Sequence, residues 1–256
     1  SPICNSSGAL VAGLYLLYFV LRRSPVLRLQ KGEHLRFNRP QLCTMLCIAA
    51  PVASEKVILT TAQIVSTAIV APLGTVAIAA NSFAITAESL CYMPAYGIQS
   101  AAAMLVGQSV GAGRRNMARR LGWVTVLIGV AVMIITGGLL YILAPQMMAI
   151  LTPNPDIIAL GARVLRIEAF AEPLFGASIV AGGVFQGVGS TLIPTLFNLG
   201  TMWGIRIPLA WLAAPRWGLP GVWAAMCLEL CVRGVLYLTR LVGKRWLPPG
   251  DQNEQA

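Results

Sequence analysis

Three stretches of the chain run without a charged side chain, from Lys56 to Glu88, from Arg120 to Asp156 and from Glu172 to Arg206. Each exceeds the ~20 residues that cross a bilayer as helix. The pattern predicts an all-α polytopic membrane protein. Six spans are expected, over residues 42–71, 76–107, 121–143, 162–187, 192–213 and 221–242, within a six-helix transmembrane bundle of residues 42–247. Residues 1–21 read as the end of one further, truncated transmembrane helix, because Arg22 and Arg23 follow its apolar run, whereas a secretory signal carries its charges in front. Residues 22–41 form a basic cytoplasmic loop with Pro25, Gly32 and Pro40, and residues 248–256 a cytoplasmic tail.

Composition agrees with the pattern. Of 256 residues, 57% are hydrophobic and 11% charged, with a mean hydropathy of +0.73. Soluble domains carry about a quarter charged residues, and disordered chains combine low hydrophobicity with high net charge, so both classes are excluded. The net charge of +10 could suggest a nucleic-acid partner, but the cations sit in short groups beside apolar spans. Arg22, Arg23, Arg28, Lys31, Arg36 and Arg39 form one group, Arg114, Arg115, Arg119 and Arg120 a second, and Arg240, Lys244 and Arg245 a third. That bias orients the chain with its C-terminus in the cytoplasm and requires no nucleic acid. The opposite connections hold little besides Arg216, with Arg163 and Arg166 just inside the next helix. Trp123, Trp211, Trp217, Trp223 and Trp246 fall near span ends, where indoles anchor at the headgroup level.

Glycines recur one helical turn apart at Gly107 and Gly111, Gly183 and Gly187, and Gly200 and Gly204, a spacing that suits close helix packing. Pro51, Pro94, Pro173 and Pro208 lie inside spans and permit bends. The cysteines at Cys43 and Cys47, and at Cys227 and Cys231, form helical pairs without the companion ligands of a zinc site, and the lone His34 lies in the loop. No metalloprotease, nucleophile-elbow, Walker or dinucleotide motif occurs, so the chain does not read as an enzyme.

Ionisable residues inside the spans are few: Glu55, Lys56, Glu88, Glu168, Glu172, Arg206, Glu229 and Arg233. Charge at that depth is costly and marks ion or substrate pathways. At 100° per residue Asn81, Glu88, Tyr92 and Gln99 share one side of the second span, and Glu55 shares a face with the small residues Ala62 and Ser66. Glu168, near the outer end of its span, is expected at the interface, and Glu229 with Arg233 as a helical ion pair. Arg206 has no acid within a turn and is expected to pair across helices or reach the interface. Gln186 lies on the face of Glu168 and Glu172.

These residues resemble a known family, the multidrug and toxic compound extrusion (MATE) transporters. The strongest stretch runs Glu88-Ser-Leu-Cys-Tyr-Met-Pro-Ala-Tyr-Gly97 and then Ala101-Ala-Ala-Met-Leu-Val-Gly-Gln-Ser-Val-Gly-Ala-Gly113. Pro51-Val-Ala-Ser-Glu55, Phe185-Gln-Gly-Val-Gly-Ser-Thr191, Trp203 to Leu209 and Gly218-Leu-Pro-Gly-Val-Trp223 support it in the family's order. The resemblance implies the second of two six-helix bundles, with residues 22–41 as the loop between them and the first bundle missing. It implies secondary active efflux in a bacterial cytoplasmic membrane, exchanging Na+ or H+ for cationic amphipathic compounds, with no cofactor beyond the coupling ion. Glu55, Glu88 and Glu172 would couple the ion, Glu55 and Glu88 being possible Na+ ligands, and Asn81, Tyr92, Gln99, Gln186 and Arg206 would line the substrate cavity. The sequence departs from the pattern at Leu174, where some members have an acid after the proline, and at Gln186-Gly-Val-Gly-Ser-Thr191, where the family's turn carries Arg and Asp. A lipid-linked saccharide flippase of the same superfamily and an inactive fragment stay open as alternatives.

Overall fold

The computed structural model describes residues 13–15, 18, 39–243 and 246–247, and side chains at residue 43 and from residue 56 onward within the main stretch. Most of the expected truncated helix and of the basic loop, His34, the tail and the side chain of Glu55 lie outside the described residues. Residues 48–256 form one compact unit, to which the description below applies.

Every element described here is helical. Helix α1 (Arg39–Val70) passes through a 3-10 turn (Ala71–Leu73) into α2 (Thr75–Gly111), followed by α3 (Arg115–Leu151), α4 (Pro155–Glu168), α5 (Glu172–Gly187) and α6 (Leu192–Thr201). A five-residue π turn (Met202–Arg206) leads into α7 (Ile207–Val242). Helices therefore cover all the predicted spans, with one difference. Among the described residues four stretches, Lys56–Leu73, Thr75–Gly111, Arg115–Leu151 and Leu192–Val242, are long and apolar enough to cross a membrane. The span predicted over 162–187 is instead two helices, α4 and α5, interrupted at Ala169–Ala171, each too short to cross alone. The stretch to Val242 is two helices merged at Gly218, whose φ of 62° and ψ of −147° turn the chain. That left-handed φ carries a steric cost for any residue with a Cβ.

Local chemistry explains the breaks. Asn154 caps α4 by accepting a 3.0 Å hydrogen bond from the Asp156 amide, and Pro155 supplies a helical φ at the first position. Pro173 occupies the opening turn of α5, where its missing N–H is no loss. Pro208 cannot donate back to the preceding turn, and the π turn lies just before it. Pro94, by contrast, sits within a continuous α2. Hydroxyls that would otherwise face apolar surroundings bond their own helix, as Thr60 does to the Lys56 carbonyl at 2.8 Å and Ser100 to that of Tyr96 at 3.0 Å.

The central element is α5, which packs on α2, α3 and α7, and every residue from Gly176 to Phe185 is buried. Small residues let it approach so closely. A Cβ on Gly187 would lie 2.5 Å from the Ala103 carbonyl oxygen, and one on Gly183 would strike the Gln99 carbonyl. Glycine spacing therefore serves packing at the α2–α5 contact. At Gly200 and Gly204 it does not, since nothing lies within 4 Å of a Cβ built there. Two tryptophans also depart from expectation: Trp223 and Trp246 are buried, because each indole N–H finds an internal acceptor, Asn81 Oδ1 at 2.9 Å and the Leu241 carbonyl at 3.0 Å. Trp211 and Trp217 are exposed.

Candidate functional site

Buried polar chemistry collects where α2, the α4–α5 break and α7 meet. Glu88 comes from α2, Glu168 from the end of α4, Glu172 from the start of α5, and Glu229 with Arg233 from α7. The four carboxylate residues are 7%, 0%, 1% and 0% exposed in that order. Glu168 thus corrects the interfacial placement expected for it. Helix α4 begins at Pro155 and carries Glu168 about 20 Å into the bundle at 1.5 Å per residue, where the helix break delivers it beside Glu172.

The acids are unequally matched. Glu229 Oε1 accepts a 2.7 Å hydrogen bond from Thr201 Oγ1 and lies 3.3 Å from Arg233 Nε, the single ion pair among the described residues. The helical pair expected from the spacing is present, and Thr201 makes it part of a contact between helices. Both carboxylate oxygens of Glu168, and Oε2 of Glu229, have no hydrogen-bond partner, and Glu172 has the weak thiol donor of Cys91 beside it. Glu88 lies in the electrostatic field of Arg206 and Arg233, and Glu168 in that of Glu88, Glu172, Arg206 and Glu229. Glu172 lies in the field of Glu88, so the cluster holds four carboxylates and two guanidinium groups. Unpaired charge in such surroundings is costly, so neutrality calls for protons or small cations.

Arg206, brought in by the π turn, reaches across to α7, where its Nη2 lies 2.7 Å from Met226 Sδ. Thioether sulfur is a weak acceptor, which leaves this guanidinium available to the acids around it. Beside it lies a void of about 20 Å³ lined by Ser66, Asn81, Arg206 and Trp223, enough for one water. Ser66 Oγ, buried and without a partner, faces the same void.

A larger cavity of about 240 Å³ adjoins the cluster and shares Arg233 with it. Gln99, Gln186, Ser178, Asn198 and Tyr237 give it polar walls, and Lys56 sits at its edge. The Tyr237 hydroxyl lies 3.1 Å from Asn198 Oδ1 and 3.2 Å from the Pro194 carbonyl. Tyr92 and Phe175 meet edge to face at 5.8 Å, and the Arg233 guanidinium lies 5.4 Å from the Phe175 ring centre, so aromatic faces stand between cluster and cavity.

The sequence-predicted site residues divide accordingly. Glu88 and Glu172 meet in the cluster, and Gln99 and Gln186 meet in the cavity. Tyr92 joins the aromatic wall, Arg206 contacts α7, and Asn81 is committed to Trp223. Sequence reasoning missed the parts played by Glu168, Thr201, Trp223, Asn198 and Tyr237. One signal was available: Trp223, Met226, Leu230, Arg233 and Tyr237 recur at three- and four-residue steps, the seam by which α7 faces the core.

A family model, MatE, matches residues 51–212. The chain belongs to the MatE family. It is 30% identical over 186 residues to a probable multidrug resistance protein NorM of Chromobacterium violaceum, covering 69% of this chain and 40% of that protein. A second NorM, of Thermotoga maritima, is 27% identical over 208 residues, covering 79% and 44%. The chain spans about half the length of the curated relatives it matches. Among solved structures, the Vibrio cholerae MATE transporter VcmN in the bent form superposes with a TM-score of 0.76 at 16% identity, over 85% of this chain and 50% of that one. An outward-facing multidrug resistance MATE family transporter gives 0.79 at 16% identity, over 91% and 53%. The MatE family includes membrane transporters of solved structure, and the described residues of this chain, all in helices and turns, agree with their fold.

Proposed function

We propose that the chain forms the second bundle of a secondary active multidrug antiporter, which expels cationic amphipathic compounds across the bacterial cytoplasmic membrane in exchange for Na+ or H+, with its C-terminus in the cytoplasm. The observation that carries this is the buried cluster of four carboxylates against two guanidinium groups, opening through Arg233 onto a polar and aromatic cavity. A proton or Na+ taken up by Glu88 and Glu172 cancels the negative charge that would hold a cationic compound. The two ligands then compete, and each favours a different facing state. Such differential affinity is what lets one flow drive the other. Glu55, one helix away, is proposed to share the ion, and Arg206, whose Nη2 meets the weak acceptor Met226 Sδ, to move between carboxylates as their charge changes.

The same cluster disfavours a flippase for lipid-linked saccharides, which needs a basic surface for phosphate. Here Arg233 is already paired with Glu229, and acids outnumber arginines. Glu88→Gln and Glu55→Gln in the full protein are expected to abolish ion-coupled ethidium efflux from everted vesicles while leaving membrane insertion intact. Undiminished efflux by both variants would remove the basis of the proposal.

A further inference from the structure

Helix α4 carries two arginines, Arg163 and Arg166, one turn apart and both exposed. Neither has a carboxylate within ion-pair distance among the described residues, where Glu229–Arg233 is the single ion pair. Arg166 is held in place from one side: its guanidinium lies 5.7 Å from the Tyr141 ring centre, and its Nε 3.4 Å from the Tyr141 carbonyl oxygen. Tyr141 in turn meets Phe170 edge to face at 5.8 Å. Next to the two arginines is an open groove of about 820 Å³, its walls otherwise apolar and formed by Tyr141, Pro145, Ile158, Ile167 and Phe170. Phe170 is 71% exposed although it lies at the break between two helices of a membrane-spanning bundle.

Exposed guanidinium in a membrane-spanning bundle is expensive unless an anion meets it, and the positive-inside bias makes cations scarce at this end of the chain's helices. Guanidinium groups bind phosphate through paired, charge-assisted hydrogen bonds. An apolar groove running away from them fits a hydrocarbon tail. We propose that this surface is a binding site for an anionic phospholipid, whose phosphate bridges Arg163 and Arg166 and whose acyl chain lies in the groove. The site stands on its own residues and does not depend on the transport reading above.

The test is lipid retention by the purified, delipidated protein in detergent, followed by native mass spectrometry during titration with phosphatidylglycerol or with phosphatidylcholine of the same chains. Phosphatidylglycerol is expected to stay bound and phosphatidylcholine to be lost. The Arg163→Gln/Arg166→Gln variant should weaken phosphatidylglycerol binding by roughly thirtyfold, the ordinary worth of two basic side chains against an anionic surface. Arg163→Gln alone, which keeps the Tyr141 contacts of Arg166, should weaken it about fivefold and covers the case in which the double variant does not fold. Ala159 also lines the groove, and Ala159→Phe, which narrows it and leaves both arginines, should weaken the lipid but not glycerol 3-phosphate. Equal retention of the two lipids, unchanged retention in Arg163→Gln, or glycerol 3-phosphate binding as tightly as the lipid would each overturn the proposal, the last by showing an anion site without a lipid tail.

Discussion

Helices α3 and α5 pack against each other and are both strongly apolar, yet they show opposite surfaces. Along α3, Leu127, Ile128, Ile135, Leu139 and Ile142 are exposed. Along α5, Gly176, Ala177, Ser178, Ala181, Gly182 and Gly183 are buried. In water the large aliphatic residues would go inside. In a bilayer lipid tails solvate leucine as well as any helix does, so association depends on how closely backbones approach and on polar groups that need partners. The helix made of small residues therefore becomes the centre, and the polar cluster gathers at its first turn.

This contrast can be broken by substitution. The largest effect is expected for Gly183→Leu, because the new side chain would collide with the Gln99 carbonyl on α2; overpacking typically costs about 1–3 kcal/mol, and a backbone obstacle belongs at or beyond the upper end. Loss of the monodisperse peak on size exclusion in detergent would report it. Next, Glu229→Ala leaves Arg233, whose side chain is 12% exposed, without its acid, a loss of about 3 kcal/mol. Adding Arg233→Met should recover much of that stability in a thermal-shift assay. Smaller still, Trp223→Phe removes the hydrogen bond to Asn81 and should cost about 1–2 kcal/mol. Substitutions as large on the exposed face of α3, such as Ile135→Ala, should leave the melting temperature within a degree or two of the parent. If Ile135→Ala proved as damaging as Gly183→Leu, the assignment of inside and outside would be reversed.

Much of this was legible in the sequence, for identifiable reasons. Uninterrupted apolar runs and grouped cations gave the helices, and the Glu88 stripe pointed inward because helical periodicity alone brings Asn81, Glu88, Tyr92 and Gln99 together. Pro173 pointed to a bend in this span, but Ala169-Phe170-Ala171 is as apolar as any helix interior, so a full break into two helices was not legible and Glu168 was placed nearer the membrane surface. Trp223 was misplaced because an indole at a span end looks the same whether its N–H meets water or, as here, Asn81. The spacing of Gly200 and Gly204 matched that of Gly183 and Gly187, but only the latter pair faces another backbone, a matter of which side of a helix is covered. Glu55 has no described side chain, so its part in the cluster stays a proposal built on the family resemblance.

The central claim is that a proton or cation neutralises the buried carboxylates in competition with a cationic compound. The direct measurement is the affinity of purified protein for tetraphenylphosphonium, titrated at several pH values and Na+ concentrations, in the parent and in Glu172→Gln. The account predicts that binding weakens as either the proton or the Na+ concentration rises, and that this dependence is flattened in the variant. Affinity that is indifferent to both ions in the parent protein would contradict it.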